Sequence, residues 1–287
     1  MTFQDIHMRD PFILVEEGKY YLYGSRGHEL WGKCTGLDVY VSDDMETWSD
    51  PVQVFTPPAD FWTEWNFWAP EVHAYQGAYY MFVTFWSETR HRGTQILKAE
   101  SRMGPFVPHS NGPITPEEWD CLDGTLYVDP NGKPYMVFCH EWAQIKDGEI
   151  CAVELTKDLS AAVGEPFLLF KASEPVWATG LDEEHKDCFV TDGPFMHRTK
   201  DGTLLMIWSS FTEKGYCEGI AYSDNGDITG KWRHDERLLF EEDGGHGMLF
   251  RTLEGELKFI FHQPNNAPFE RPHVVAVKEA ENTIYKE

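Results

Sequence analysis

Five segments of this chain repeat one pattern, and this repeat limits the possible folds more than any other feature. Each segment has a small or polar start, a short strand, a glycine-containing turn and an aromatic-rich strand. The segments are Arg9–Ser25, Trp68–Phe85, Leu122–Phe138, Thr191–Ser210 and Gly244–His262. The glycines expected at their hairpin turns are Gly18, Gly77, Gly132, Gly202 and Gly255. The chain between repeats leaves room for further outer strands.

The repeat predicts an all-β fold, a single five-bladed β-propeller with about four strands in each blade. Helical periodicity is weak and no linker is visible, so residues 1–287 are expected to form one domain. The innermost strands of a propeller line its axis, which brings distant but equivalent positions together. We align the leading positions of the five repeats as Asp10, Ala69, Asp123, Asp192 and His246. Three aspartates are therefore expected to meet at the axis.

Composition excludes several classes of partner. The formal net charge is −24, which disfavours binding to nucleic acid or to a strongly anionic substrate. Aromatic residues make up 15% of the chain. Most are expected in the sheet core, but aromatic rings also stack on sugar faces.

The cysteines and the N-terminal residues indicate the cellular compartment in which the protein is expected. Six cysteines occur without a CxxC pair, and we interpret them as mostly buried free thiols, although their number allows disulfides. The opening MTFQDIHMRDPF has no basic start followed by an apolar run, and no apolar stretch reaches the roughly 20 residues that span a bilayer. A cytoplasmic protein without a membrane partner is expected.

The three aspartates are the first candidates for chemistry. Carboxylates gathered at one axis repel one another and raise one another's pKa values. Such a cost is typical of a working site. The alternative is local, because aspartate also favours turns and the starts of strands.

Five motifs in order resemble glycoside hydrolase family 43, whose members are five-bladed propellers acting on arabinose- and xylose-containing glycans by inversion. The motifs are RDPF, WAPEVH, LDGTLYVDPNGKPY, TDGPFM and GGHGMLF. The resemblance implies that Asp10 is the general base and that Asp123 orients the acid and modulates its pKa. Asp192 occupies the place of the family's general acid. Trp68 is implied at the sugar pocket, and His246 is implied at the axis.

One position departs from the family pattern. The general acid of the family is a glutamate, whereas this chain has the shorter Asp192. Either the pocket is reshaped, or Asp192 is not the acid, or the specificity differs from that of the usual pentosidases. Glu71 and Glu141 are the reserve candidates for the acid.

The expected activity is inverting, exo-acting hydrolysis of the α-L-arabinofuranosidase or β-xylosidase type. Inversion needs a base carboxylate and an acid carboxyl roughly 6.5–9.5 Å apart, so that water fits between them. We expect an oligosaccharide or glycoside substrate bound by Trp68, His246 and Arg271. The alternatives for Trp68 and Arg271 are a core tryptophan between blades and a surface ion pair. A non-catalytic glycan-binding propeller and a glycoside phosphorylase remain alternative functions.

No cofactor is expected to be required. His246 has three possible roles: a ligand of an axial metal ion, a hydrogen-bond partner of Asp123, or a plug of the axis. Calcium would be the expected ion because the surroundings offer oxygen ligands.

Overall fold

The computed structural model describes residues 1–280 and 282–287, and it confirms the predicted five-bladed propeller. Each blade is an antiparallel sheet of four strands that follow one another in the chain. The inner strands of neighbouring blades contact one another, and the first also contacts the last, so the blades form a closed ring. Two short helical turns, Phe3–Asp5 and α1 (Trp142–Ile145), lie outside the sheets.

Within each blade, the strands run from the axis to the rim in chain order. Blade 1 contains β1 (Met8–Glu16), β2 (Lys19–Arg26), β3 (Leu37–Ser42) and β4 (Val52–Phe55). Blade 2 contains β5 (Trp65–Tyr75), β6 (Ala78–Ser87), β7 (Arg90–Ala99) and β8 (Val107–Pro108). Blade 3 contains β9 (Cys121–Val128), β10 (Pro134–His140), β11 (Glu149–Leu155) and β12 (Ala162–Lys171). Blade 4 contains β13 (Asp192–Arg198), β14 (Leu204–Thr212), β15 (Gly215–Ser223) and β16 (Trp232–His234). Blade 5 contains β17 (Gly245–Arg251), β18 (Leu257–Gln263), β19 (Arg271–Ala280) and β20 (Thr283–Lys286).

The five predicted turn glycines join the first two strands of their blades. All have φ between 75° and 94°, a left-handed conformation that glycine adopts without a steric cost. The predicted hairpins are therefore confirmed.

A two-residue bulge interrupts each inner strand at the same point. In blade 1, Arg9 pairs with Ser25 and Phe12 pairs with Tyr23, so two residues oppose one. The same pattern recurs in the other four blades. The first bulge residue has a left-handed backbone in every blade, and these residues are Asp10, Ala69, Asp123, Gly193 and His246.

The predicted alignment of blade 4 is therefore wrong by one residue. Gly193 is equivalent to Asp10 and Asp123, whereas Asp192 is the paired residue just before the bulge. Asp192 is equivalent to Arg9 in blade 1 and Trp68 in blade 2. Because consecutive strand residues point to opposite faces, this shift changes where the Asp192 side chain points.

Hydrophobic clusters fill the spaces between neighbouring blades. Blades 1 and 2 share a cluster in which Phe67 and Phe85 meet edge to face at 4.9 Å. Further clusters lie between blades 2 and 3, 3 and 4, and 4 and 5. All six cysteines are buried free thiols, as predicted. None of the helices in the described residues is long and apolar enough to cross a bilayer.

Candidate active site

One cavity of about 620 Å³ opens at the axis and collects most of the predicted site residues. Those that line it are Asp10, Trp68, Asp123, Asp192 and His246. A larger groove, about 820 Å³, lies along blade 4 next to the last hairpin of blade 5 but includes none of them. The axial cavity is therefore the candidate site.

Side chains of the second strands fix the bulges at the axis. In three of the five blades, the left-handed residue donates its N–H to a hydroxyl in the preceding blade. Ala69 donates to Ser25 Oγ at 2.8 Å, and Asp123 donates to Thr84 Oγ1 at 2.9 Å. His246 likewise donates to Ser209 Oγ at 2.7 Å. These bonds compensate buried backbone donors that the ladder leaves unpaired.

Asp10 is held as an ionised carboxylate. Its Oδ2 accepts a hydrogen bond from Ser25 Oγ at 2.5 Å, and its Oδ1 lies 3.1 Å from His246 Nδ1. Arg9 Nε lies 3.8 Å from the same oxygen. Burial opposes ionisation, but the charges of His246, Arg9 and His262 outweigh it and lower the pKa of Asp10.

Asp123 and His246 occupy the centre of the cluster. Asp123 Oδ2 accepts the Gly193 N–H at 3.1 Å and lies 3.6 Å from His246 Nδ1. Burial, together with the charges of Asp192 and Asp10, raises the pKa of Asp123. Burial alone would lower the pKa of His246, but Asp10, Asp123 and Asp192 raise it to about 9. His246 is therefore an imidazolium between two carboxylates.

This arrangement does not fit a metal ion at His246. The Nδ1 atom already faces the carboxyl groups of Asp10 and Asp123, at 3.1 and 3.6 Å, and pairs with them. Among the described residues, no group of three or more His, Cys, Asp or Glu side chains is placed to hold one.

Asp192 lies on the wall of the cavity near Arg9. Its Oδ2 accepts a hydrogen bond from the Tyr216 hydroxyl at 2.9 Å. Burial raises the pKa of Asp192, while His246, the Tyr216 hydrogen bond and Arg9 oppose the rise.

The two reserve candidates for the general acid, Glu71 and Glu141, differ in their position relative to the cavity. Glu71 does not line the cavity, and its Oε2 pairs with His73 Nε2 at 3.0 Å. Glu141 follows β10, lines the cavity and is only 4% exposed. Arg92 Nη1 lies 3.5 Å from its Oε2. Burial raises the pKa of Glu141 to about 8, against the effect of Arg92 and with the help of Asp192, Asp120 and Asp123.

Trp68 lines the cavity beside a second tryptophan that sequence reasoning did not identify. Its Nε1 donates to the Leu30 carbonyl at 2.7 Å, which fixes the ring. Trp31 meets Trp68 edge to face at 5.2 Å and is 69% exposed. Two aromatic rings at the mouth of a cavity that also holds carboxyl groups suit the stacking of sugars.

Arg271 does not line the cavity, which corrects the expectation that it contacts substrate. Its guanidinium donates to the carbonyls of Gln4 and Glu270 at 2.9 and 2.7 Å and contacts His7 Nε2 at 2.8 Å. The structural alternative, a surface contact, is nearer to what is found. Two other arginines, Arg9 and Arg92, face the cavity instead.

The chain is similar to known proteins in both sequence and fold. The family described as Glycosyl hydrolases family 43 matches residues 4–278. A crystal structure of endo-arabinase from Bacteroides thetaiotaomicron VPI-5482 shares 41% identity, with a TM-score of 0.91 and 98% of each chain covered. An α-L-arabinofuranosidase from Lactobacillus brevis shares the fold, with 18% identity and a TM-score of 0.76 over 100% of this chain and 97% of the other.

A curated relative matches only in part. It is the extracellular endo-alpha-(1->5)-L-arabinanase 1 of Bacillus subtilis (strain 168), 26% identical over 152 residues. The match covers 48% of this chain and 45% of that protein, so the chain matches less than half of the relative's length.

Proposed function

Because the chain belongs to the glycosyl hydrolases family 43, we propose that it hydrolyses glycosidic bonds of arabinose- or xylose-containing glycans with inversion at the anomeric carbon. The observation that carries this proposal is the charge pattern of the axial cavity. Asp10 is ionised there, while carboxyl groups with raised pKa values line the same space. One ionised and one protonated carboxyl are what an inverting glycosidase needs.

In this proposal, Asp10 is the general base. It takes a proton from the water that attacks the anomeric carbon. His246 and Arg9 keep Asp10 ionised and, together with Ser25, fix its orientation. Asp123 orients the proton-donating side of the site through its contacts with Gly193 and His246.

Asp192 is the third catalytic carboxyl and stands in the acid position of the family. Trp68 is the proposed sugar platform, because its ring is fixed and lines the cavity. His246, which also lines the cavity, contacts the bound sugar from the axis.

Exo attack, as an α-L-arabinofuranosidase or β-xylosidase, remains our proposed mode. Endo attack on arabinan is a second candidate, and two observations favour it. The Bacteroides protein at 41% identity is described as an endo-arabinase. Trp31, at the cavity mouth, offers a further aromatic face to a longer chain.

Two measurements test the proposal. Proton NMR of the early reaction is expected to show the anomer opposite to that of the substrate, and net retention would contradict inversion. Digestion of linear arabinan, with xylan and aryl glycosides in parallel, then separates the modes. Exo attack releases monosaccharide from the start, whereas endo attack releases oligosaccharides. A failure to hydrolyse any of these substrates would contradict the proposed function.

We also propose that activity needs no metal ion, because the His246 imidazolium occupies the axial position. Prolonged treatment with chelator is expected to leave the rate unchanged. Loss of activity that calcium restores would contradict this.

Cytoplasmic localisation stays a prediction, supported here only by the opening sequence and the free thiols. The Bacillus relative is named as extracellular, so the two proteins differ if the prediction holds. Fractionation of producing cells, followed by immunodetection, tests it; protein found only outside the cells would contradict it.

A further inference from the structure

The carboxyl in the family's acid position lies in surroundings that favour a base-side role. Asp192 accepts a hydrogen bond from Tyr216, and such a bond stabilises the ionised form. The positive charges of His246 and Arg9 also favour its ionised form, while burial and the charge of Asp10 oppose it and keep its pKa above the ordinary value. Asp192 thus shares its cationic neighbours with the proposed base. In an inverting site, the acid stands across the sugar from the base, with room for water.

The surroundings of Glu141 suit a proton donor better than those of Asp192 do. It lies at the end of β10 in blade 3, and its N–H donates to the Asp120 carbonyl at 2.8 Å. Its carboxyl accepts no hydrogen bond from the described part of the chain. The charges that act on it are those of Arg92, Asp192, Asp120 and Asp123.

Protonation also favours Glu141. With a pKa of about 8, its carboxyl keeps its proton at neutral pH although it borders an open cavity. Glutamate is also the residue type that the family carries as its general acid. Two hydrogen bonds of 2.9 Å to Asp120 fix Arg92 beside Glu141. Arg92 can therefore stabilise the carboxylate that forms after proton transfer.

We propose that Glu141, rather than Asp192, is the general acid of this enzyme; this inference rests on the proposed function. The Glu141 proton passes to the glycosidic oxygen while the bond from that oxygen to the anomeric carbon breaks, and the bonding electron pair goes to the oxygen. Water forms the new bond to the anomeric carbon from the opposite face and gives its proton to Asp10. Glu141 is left ionised beside Arg92, and Asp10 is left protonated, so charge and atoms balance.

Asp192 then acts on the other side of the sugar. With Arg9, it forms a polar part of the cavity wall that contacts the sugar hydroxyls next to the base, while the buried Tyr216 hydroxyl holds its carboxyl by a hydrogen bond. Its loss is expected to weaken the reaction whatever the leaving group.

The test compares leaving groups in Glu141→Gln and Asp192→Asn. A sugar alcohol needs the acid's proton, whereas dinitrophenol leaves without it. Glu141→Gln is expected to lose roughly 10²–10⁴-fold on a natural oligosaccharide and less than about tenfold on the dinitrophenyl glycoside. Asp192→Asn is expected to lose activity about equally on both. Similar losses on both substrates for Glu141→Gln, or a selective loss for Asp192→Asn, would overturn the assignment.

Two further readouts keep the result interpretable. The wild-type rate on the natural substrate is expected to fall as pH rises through about 8, where Glu141 loses its proton. Glu141→Asp, which keeps a carboxyl, is expected to retain that pH limb, and circular dichroism checks that each variant is folded.

Infrared spectroscopy tests protonation without any substrate. The wild-type spectrum minus that of Glu141→Gln is expected to show a protonated carboxyl band at neutral pH that is lost above about pH 8. The subtraction is needed because burial also raises the pKa of Glu218 to about 8, so Glu218 contributes such a band to both proteins. A difference spectrum without this band would remove the basis for the acid role. Failure of the wild type to hydrolyse any glycoside would instead count against the proposed function.

Discussion

At the residue scale, the site depends on how one carboxylate is kept charged in a buried place. Asp10 is only 8% exposed, and burial by itself would neutralise it. The His246 imidazolium at 3.1 Å and the Ser25 hydroxyl at 2.5 Å offset that cost. The same cation is shared with Asp123, so His246 links the proposed base to the orienting carboxylate. This linkage explains why a histidine occupies the blade-5 position at the axis.

Asp10→Asn is expected to abolish turnover, because an amide cannot take a proton from water. The loss should be at least roughly 10²–10⁴-fold, and it should appear on natural and activated substrates alike. Initial rates on both substrates measure it. Asp43→Asn is the matched control, since Asp43 is an exposed carboxylate that pairs with Lys19 at the surface. More than about a tenth of wild-type activity in Asp10→Asn would contradict the base assignment.

At the scale of the strand, the repeated bulge places the chemistry. It turns one residue of each inner strand into a left-handed conformation, and the residue before it lines the cavity in four of the five blades as Arg9, Trp68, Leu122 and Asp192. Aspartate tolerates this conformation better than most residues, which suits Asp10 and Asp123. Blade 4 uses Gly193 instead, whose absent side chain leaves room for the His246 ring. A Cβ at Gly193 would lie 2.6 Å from His246 Cδ2.

Gly193→Ala is therefore expected to reduce both stability and activity. The left-handed backbone costs about 1–2 kcal/mol for alanine, and the new methyl group also displaces His246. Gly18→Ala makes a matched control, because Gly18 has φ 75° but a Cβ there would meet nothing within 4 Å. Thermal unfolding should show a loss for both variants, while kcat should fall only in Gly193→Ala. Equal activity in the two variants would show that His246 is not sensitive to this contact.

At the scale of the whole molecule, the first and last blades must be held together although neither contributes a strand to the other's sheet. Blade 1 begins with its inner strand and blade 5 ends with its outer strand, so side chains join the first and last blades. Arg271 bridges β19 to Gln4 and His7, and Arg9 reaches Glu270 at 3.2 Å. The arginine that we expected to bind substrate thus closes the propeller.

Arg271→Ala is expected to lower the free energy of unfolding by about 1–3 kcal/mol, because several charge-assisted hydrogen bonds are lost together. For a protein of this size, the melting temperature should fall by a few degrees. Arg237→Ala is the control, since Arg237 pairs at the surface with Asp235, two residues away, and should change little. The Michaelis constant should stay near the wild-type value in both variants. A large rise in Arg271→Ala alone would return Arg271 to the substrate site.

The sequence by itself determined the blades and most of the axial residues. Hairpin glycines and alternating aromatic strands are local signals, so five repeats were sufficient to predict five sheets and to bring Asp10, Asp123 and His246 together. The number and spacing of the cysteines were likewise sufficient to predict buried free thiols. Glu141 was identifiable only as a reserve, because nothing local distinguishes a glutamate at a strand end that faces the axis.

Only the tertiary structure decided the register of blade 4, the places of Arg92 and Tyr216, and the structural role of Arg271. A short motif such as TDGPFM does not specify which residue begins the bulge, and a shift of one residue turns a strand side chain to the opposite face. Arg92 and Tyr216 come from third strands of their blades, outside the repeated hairpin. Their approach to the axis depends on the packing of whole sheets. Protonation depends on the same packing, since burial and neighbouring charges exist only in the folded chain.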